Sequence, residues 1–224
     1  MSTHDHSHSS TQGPDAAGTA GLIPLRHTWL LVPHTSLRVA GHSEIPTADG
    51  VAYTAWLTLD GRPIGTAENA GRGGETRFVP GDDPEFGPRE MRTFAAACRT
   101  PAGGHPSEAD VLDELITEAE LDRAVTTADR DGGGLLRHVD MLRLADEPGG
   151  AWYFITGHLI VDHQTVVDLR GTRRQAVIDG LPADDPPNAD RWWQQWVSPP
   201  LGSGHWVDLT PRPHLTTLRP PSGD

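Results

Sequence analysis

Lysine is absent from this sequence, and all 18 basic residues are arginine. That excludes a Schiff-base lysine, a lysine general base and the lysine of a phosphate-binding P-loop. Cysteine is nearly absent too: a lone Cys98 rules out an intrachain disulfide and gives no support to a cysteine-based zinc site. No apolar run approaches the roughly 18 residues of a membrane span. The N-terminus lacks the basic stretch and apolar run of a secretory signal, so the expectation is a cytoplasmic protein with no membrane contact. Positive charge is outweighed by 31 acidic residues, for a net charge of −13. A field of that sign opposes direct binding to nucleic-acid phosphates. It fits a surface that stays in solution by charge, or one that mimics nucleic acid in another protein's groove.

The 224 residues suffice for one core plus tails. Hydrophobic residues make up only 36%, and 25 glycines and 20 prolines dilute them, chiefly toward the ends. Residues 1–20 are polar and small and are expected to be a disordered tail, with His4, His6 and His8 as a loose metal-binding tract. Residues 21–182 are expected to form a single α+β domain. Residues 183–197 read as a linker and a Trp-rich short helix, and 198–224 as a proline-rich irregular tail.

Within the domain, VAYTAWLTL over 51–59 alternates with period two, and Asp60-Gly61 follows as a type I′ hairpin signal. Residues 63–69 and 75–79 complete a predicted meander. Pro88 opens a helix whose Met91, Phe94, Ala95 and Cys98 share one stripe. Cys98 is thereby expected to be a buried, inert thiol. Ser107 with Asp110 resembles a capping box for an acidic helix through Asp122, whose charged face is expected to be solvated. After Gly132-Gly133-Gly134, strands are predicted over 137–144, 151–161 and 165–169, then a short helix opened by Thr172 and Gln175. The order argues for an antiparallel sheet built from hairpins with two to four helices on one face.

Three constellations bear on chemistry. Asn69 precedes Gly71-Arg72-Gly73-Gly74, and Arg77 follows; glycine-loop amides with arginine forks suit a phosphate or carboxylate. His138, His158, Asp162 and His163 lie near predicted strand ends, where N/O ligands suit a metal. Trp192, Trp193 and Trp196 are either rings that dock a final helix, the commoner case, or a partner surface. No catalytic signature accompanies them, and no cofactor is expected.

The stretch from Thr54 to Pro80, with Asp60, Gly61, Gly65, Asn69, Gly71, Arg72, Gly73 and Gly74 as its matching residues, resembles the opening of a small uncharacterised bacterial family associated with phages, plasmids and actinobacterial genomes. VVDLRGTRRQAVIDGLP resembles that family's ending. The resemblance spans roughly 51–182 and implies no activity and no catalytic residues. Three function classes follow: a non-enzymatic accessory protein acting through a protein surface, with another protein or a second copy as partner; a small enzyme or ligand binder for an anionic group at Gly71–Gly74; and an acidic nucleic-acid mimic.

Overall fold

The computed structural model describes residues 21–143, 151–182, 190–198 and 204–213. The fold is α+β, built mainly from two four-stranded antiparallel sheets and four helices. The tail histidines His4, His6 and His8 lie outside the described residues.

A two-residue hairpin of β1 (Ile23–Pro24) and β2 (Leu31–Val32) opens the chain. The first large sheet is the predicted meander: β3 (Leu37–Pro46), β4 (Val51–Leu59), β5 (Arg62–Asn69) and β6 (Arg77–Pro80), paired in that order. Asp60 and Gly61 both adopt positive φ, 50° and 80°, as a type I′ turn requires. One face of the meander carries Leu37, Ala55, Leu57, Ile64, Ala67 and Phe78 into a core. Helix α1 (Pro88–Ala97) covers that face with Met91, Phe94 and Ala95.

Helix α2 (Glu108–Arg130) begins as the sequence indicates. Ser107 Oγ accepts the Asp110 N–H at 3.1 Å, and the Asp110 carboxylate accepts the Ser107 N–H at 2.9 Å. It does not stop at Asp122. A second apolar stripe, Leu121, Ala124, Val125 and Ala128, carries it to Arg130, a rod about 34 Å long. Its first half, with Val111, Leu112, Leu115 and Ile116, packs in the core of the first sheet. Its second half packs on Leu135 and Trp196 of the second sheet.

That second sheet has the order β10-β9-β7-β8, from β7 (Gly134–Arg143), β8 (Ala151–Val161), β9 (Arg191–Val197) and β10 (His205–Asp208). Between β8 and β9 come α3 (His163–Arg170) and α4 (Arg174–Asp179). Leu136 and Trp193 meet Leu169, Val177, Ile178 and Leu181 of that helical segment, so helices cover both faces of this sheet, not one.

Three expectations are corrected here. The segment 165–169 is helical, because Asp162 caps α3 by accepting the Thr165 N–H at 2.7 Å. The stretch expected to hold a Trp-rich helix is strand β9, pairing with β7 from Leu136↔Gln195 to Asp140↔Arg191. Part of the expected irregular tail is strand β10.

Candidate functional site

The glycine loop is held by its own side chains. Asn69 Oδ1 accepts the Gly71 N–H at 2.8 Å, and Asn69 Nδ2 donates to the Gly74 carbonyl at 2.9 Å. The Gly71 carbonyl accepts the Thr47 hydroxyl at 2.8 Å. The Gly71 amide, the first donor of the presumed anion nest, is therefore already engaged. Asn69 and Arg77 border one small cavity of about 130 Å³, with Glu68 directly across the strand pair from Arg77. Gly71, Arg72, Gly73 and Gly74 do not line it. That volume falls below the roughly 300–1,000 Å³ of small-molecule sites, and the carboxylate beside Arg77 offsets its charge.

Beside the loop, Tyr53 and Thr76 both donate to Asp113 Oδ1 at 2.5 Å, and the two hydroxyls touch each other. Burial, and then the bond to Asp113, push the Tyr53 phenol up to about 12. It is a clasp between β4, the approach to β6 and α2.

The four residues expected to form a metal site do not assemble among the described residues. His138 Nδ1 lies 2.6 Å from the Thr156 hydroxyl, and its ring packs on Trp193. His158 is exposed on β8, Asp162 caps α3, and His163 Nδ1 lies 3.2 Å from the Gly132 carbonyl. The tryptophans, too, are a correction to the partner-surface reading: Trp192 is 1% exposed and Trp196 4%, both docked in the core, and Trp193 is half-buried against the α3–α4 side.

None of the acidic residues of α2 is buried, and several also accept hydrogen bonds from within the chain. Asp110 caps, Asp113 clasps Tyr53, and Asp122 accepts from His27 Nε2 at 2.9 Å. Glu118 takes the backbone N–H groups of Arg26, His27 and Thr28 at 2.9, 2.8 and 2.9 Å.

The most elaborate polar centre is one the sequence reading missed. Arg137 is fully buried, with its guanidinium carbon 4.2 Å from the Trp29 ring centroid and 3.9 Å from that of Trp206. It donates to Gln194 Oε1 at 2.8 Å and to the His27 carbonyl. Desolvation pushes its pKa down to about 9, so it remains a cation at neutral pH. Trp206 Nε1 donates to His27 Nδ1 at 3.1 Å, which fixes the proton of His27 on Nε2, facing Asp122. With both nitrogens used, His27 is not a free general base. Trp29 holds φ at 62°, a strained value for a bulky residue, and its ring lies against the guanidinium. The signal was present: Leu135, Arg137, Val139 and Met141 alternate, placing an arginine on the apolar face.

The surface left open is the outer face of the first sheet. Cross-strand partners share a face, so Gly41, Trp56, Thr66 and Val79 form one row, Ser43, Thr54, Glu68 and Arg77 the next, and Ile45 with Ala52 a third. None of these residues is buried, and Trp56 is 49% exposed at the centre. In VAYTAWLTL, Trp56 falls on the polar side of the alternation, a cue that was legible.

No family model, curated protein or solved structure matches this chain. No described helix is long and apolar enough to cross a membrane.

Proposed function

We propose that the protein is a non-enzymatic accessory module that acts by binding another protein through the outer face of its first sheet. The observation that carries this reading is Trp56, a large ring half-exposed in the middle of a face that no described element covers. The hydroxyls of Ser43, Thr54, Thr58 and Thr66 surround it, and the charged side chains of the face, Arg38, Glu68 and Arg77, largely offset one another on a chain that carries −13. Interfaces concentrate such composition, with tryptophan enriched and charge depleted at the centre. The net charge opposes pairing of like copies, which favours a different protein as partner. The polar clusters of the interior add support, since His27, Glu118, Asp122, Tyr53, Thr76 and Asp113 are hydrogen-bonded to one another and to backbone. Arg77 belongs to this surface, whereas Asn69, paired with Tyr53, lies on the opposite, core-facing side of the sheet.

The test is site-specific photocrosslinking in cells that express the protein natively, with the reactive side chain placed at position 56, at 45 or, as control, at exposed Val167 on α3. A discrete heteromeric adduct is expected from 56 and 45 and not from 167. No adduct, equal labelling at 167, or an adduct of two copies of this chain overturns the proposal.

A further inference from the structure

Two groups among the described residues bring a histidine and two carboxylates within 4.8 Å of one another. They differ in what else their donor atoms do. In the first, His27 uses both ring nitrogens and Glu118 spends its oxygens on three backbone amides, so the network is closed. The second comprises His42, Glu44 and Glu120. His42 and Glu44 stand two apart on β3 and so point to the same face, and Glu120 meets them from α2. His42 Nε2 lies 3.3 Å from Glu44 Oε1 and 3.1 Å from Glu120 Oε1.

Charge does not balance in this second group. His42 Nδ1 is 2.5 Å from Arg123 Nη2. A guanidinium only donates, so Nδ1 accepts and the ring is neutral, with its single proton on Nε2. One N–H then faces two carboxylates, and among the described residues Arg123 supplies the only cation in direct contact with the ring. Two like charges converge where one positive charge is missing. The spacing fits what would supply it: ligands at the 2.0–2.1 Å bond lengths of tetrahedral zinc lie about 3.3 Å apart along each edge, and the two separations here are 3.3 and 3.1 Å. His42 is largely buried, whereas the Glu44 side chain is 51% exposed, which leaves one side open to solvent.

We propose that His42, Glu44 and Glu120 form a three-ligand site for a divalent transition-metal cation of the zinc class, with imidazole Nε2 and one oxygen of each glutamate as ligands. The fourth position is open to water, and the ion clasps β3 to α2. Binding moves the ring proton from Nε2 to Nδ1, with no net proton released, and displaces the exposed Arg123 side chain from its contact. Arg123 is thus a built-in competitor of the metal. The inference is independent of the Trp56 face.

The experiment uses the full chain, without an added affinity tag and with His4, His6 and His8 replaced by serine, so that the tail cannot contribute. After chelator treatment, Co²⁺ is titrated by its ligand-field absorption and Zn²⁺ by calorimetry. One equivalent is expected, with the intense absorption of a tetrahedral N/O site. His42→Ala and Glu120→Gln are expected to weaken it more than about 100-fold, beyond the range of outer-shell partners. Glu44→Gln, on the exposed rim, tests the same loss without threatening the core. Arg123→Met is expected to tighten binding by about 10-fold, since it removes the competing cation. An absence of saturable binding, binding unchanged in Glu44→Gln and Glu120→Gln, or weaker binding in Arg123→Met overturns the site.

Discussion

The guanidinium carbon of Arg137 sits 3.9 Å from the ring centroid of Trp206, a residue 69 positions away on the edge strand β10. The same indole donates to His27 Nδ1, so Trp206 supplies both a π face to a buried cation and a hydrogen bond to the histidine whose carbonyl holds that cation. A desolvated cation–π contact is worth about 2 kcal/mol, and truncating a packed tryptophan costs about 3–5 kcal/mol. Trp206→Ala is expected to destabilise by about 3 kcal/mol, at the low end because the ring is only partly buried. Trp206→Phe keeps a π face and leaves His27 Nδ1 unpaired, for a loss of about 1–2 kcal/mol. Urea unfolding of both variants separates the two roles; equal losses would place the whole effect in the hydrogen bond.

Glu118 governs the other side of the same centre. Its carboxylate holds three consecutive amides of the loop that presents the His27 carbonyl to Arg137. Hydrogen bonds to a charged group contribute about 1.5–3 kcal/mol each, though not additively. Glu118→Ala is expected to cost about 3 kcal/mol and to accelerate native-state amide exchange at residues 26–28 selectively. Uniform acceleration across the first sheet would show a general loss of core packing instead.

What the sequence disclosed follows from which signals were local. The meander was legible because VAYTAWLTL has a period of two, with Trp56 the large exception, and Asp60-Gly61 fixes the turn beside it. The start of α2 was legible because Ser107 and Asp110 satisfy each other within one turn. Strand β9 was misread because Trp192 and Trp196 fit a helical stripe as well as they fit the alternation Trp192, Gln194, Trp196, and only pairing with β7 decides between them. The segment 165–169 was misread because its β-branched residues outweighed the Asp162 cap. Arg137 and His27 are 110 positions apart, so their contact was beyond local reading, although the arginine on an apolar face marked one half of it. The candidate glycine loop was placed correctly as a loop, but its first amide, that of Gly71, is answered by Asn69 two residues before it.

The two positive-φ glycines of that loop are expected to behave differently. Gly71 has φ 66°, and a Cβ there would stand 2.5 Å from the Ala52 nitrogen. Gly73 has φ 71°, and a Cβ there meets nothing within 4 Å. Conformational strain alone costs about 1–2 kcal/mol at such a position. Gly73→Ala is therefore expected to lose about 1 kcal/mol, and Gly71→Ala about 3 kcal/mol because the loop must also move off β4. Thermal unfolding of the pair checks this, and equal losses would mean that the loop yields without resistance.

Stability is expected to fall at alkaline pH through two buried acids. Burial pushes the Cys98 thiol from 9.0 up to about 12, and it pushes the Tyr53 phenol from 10.0 up to about 12, helped by Asp113. Unfolded, each group loses its proton at the lower value; folded, each keeps it to the higher one. The native state then binds more protons between about pH 9 and about pH 12, and unfolding free energy declines as pH rises through that window. Arg137 acts in the opposite sense there, because its folded pKa is lowered from 12.5 to about 9 and the unfolded chain binds the extra proton. Cys98 and Arg137 cancel from about pH 9 to about pH 10; above about pH 10 two acids against one base leave a net decline of at most about 1.4 kcal/mol per pH unit. Urea titrations from about pH 8 to about pH 11 measure it. Cys98→Ala is expected to turn the level stretch from about pH 9 to about pH 10 into a rise, and Tyr53→Phe to abolish the decline above about pH 10. A wild-type stability that rises across the window would assign the dominant share to Arg137 and reverse the prediction.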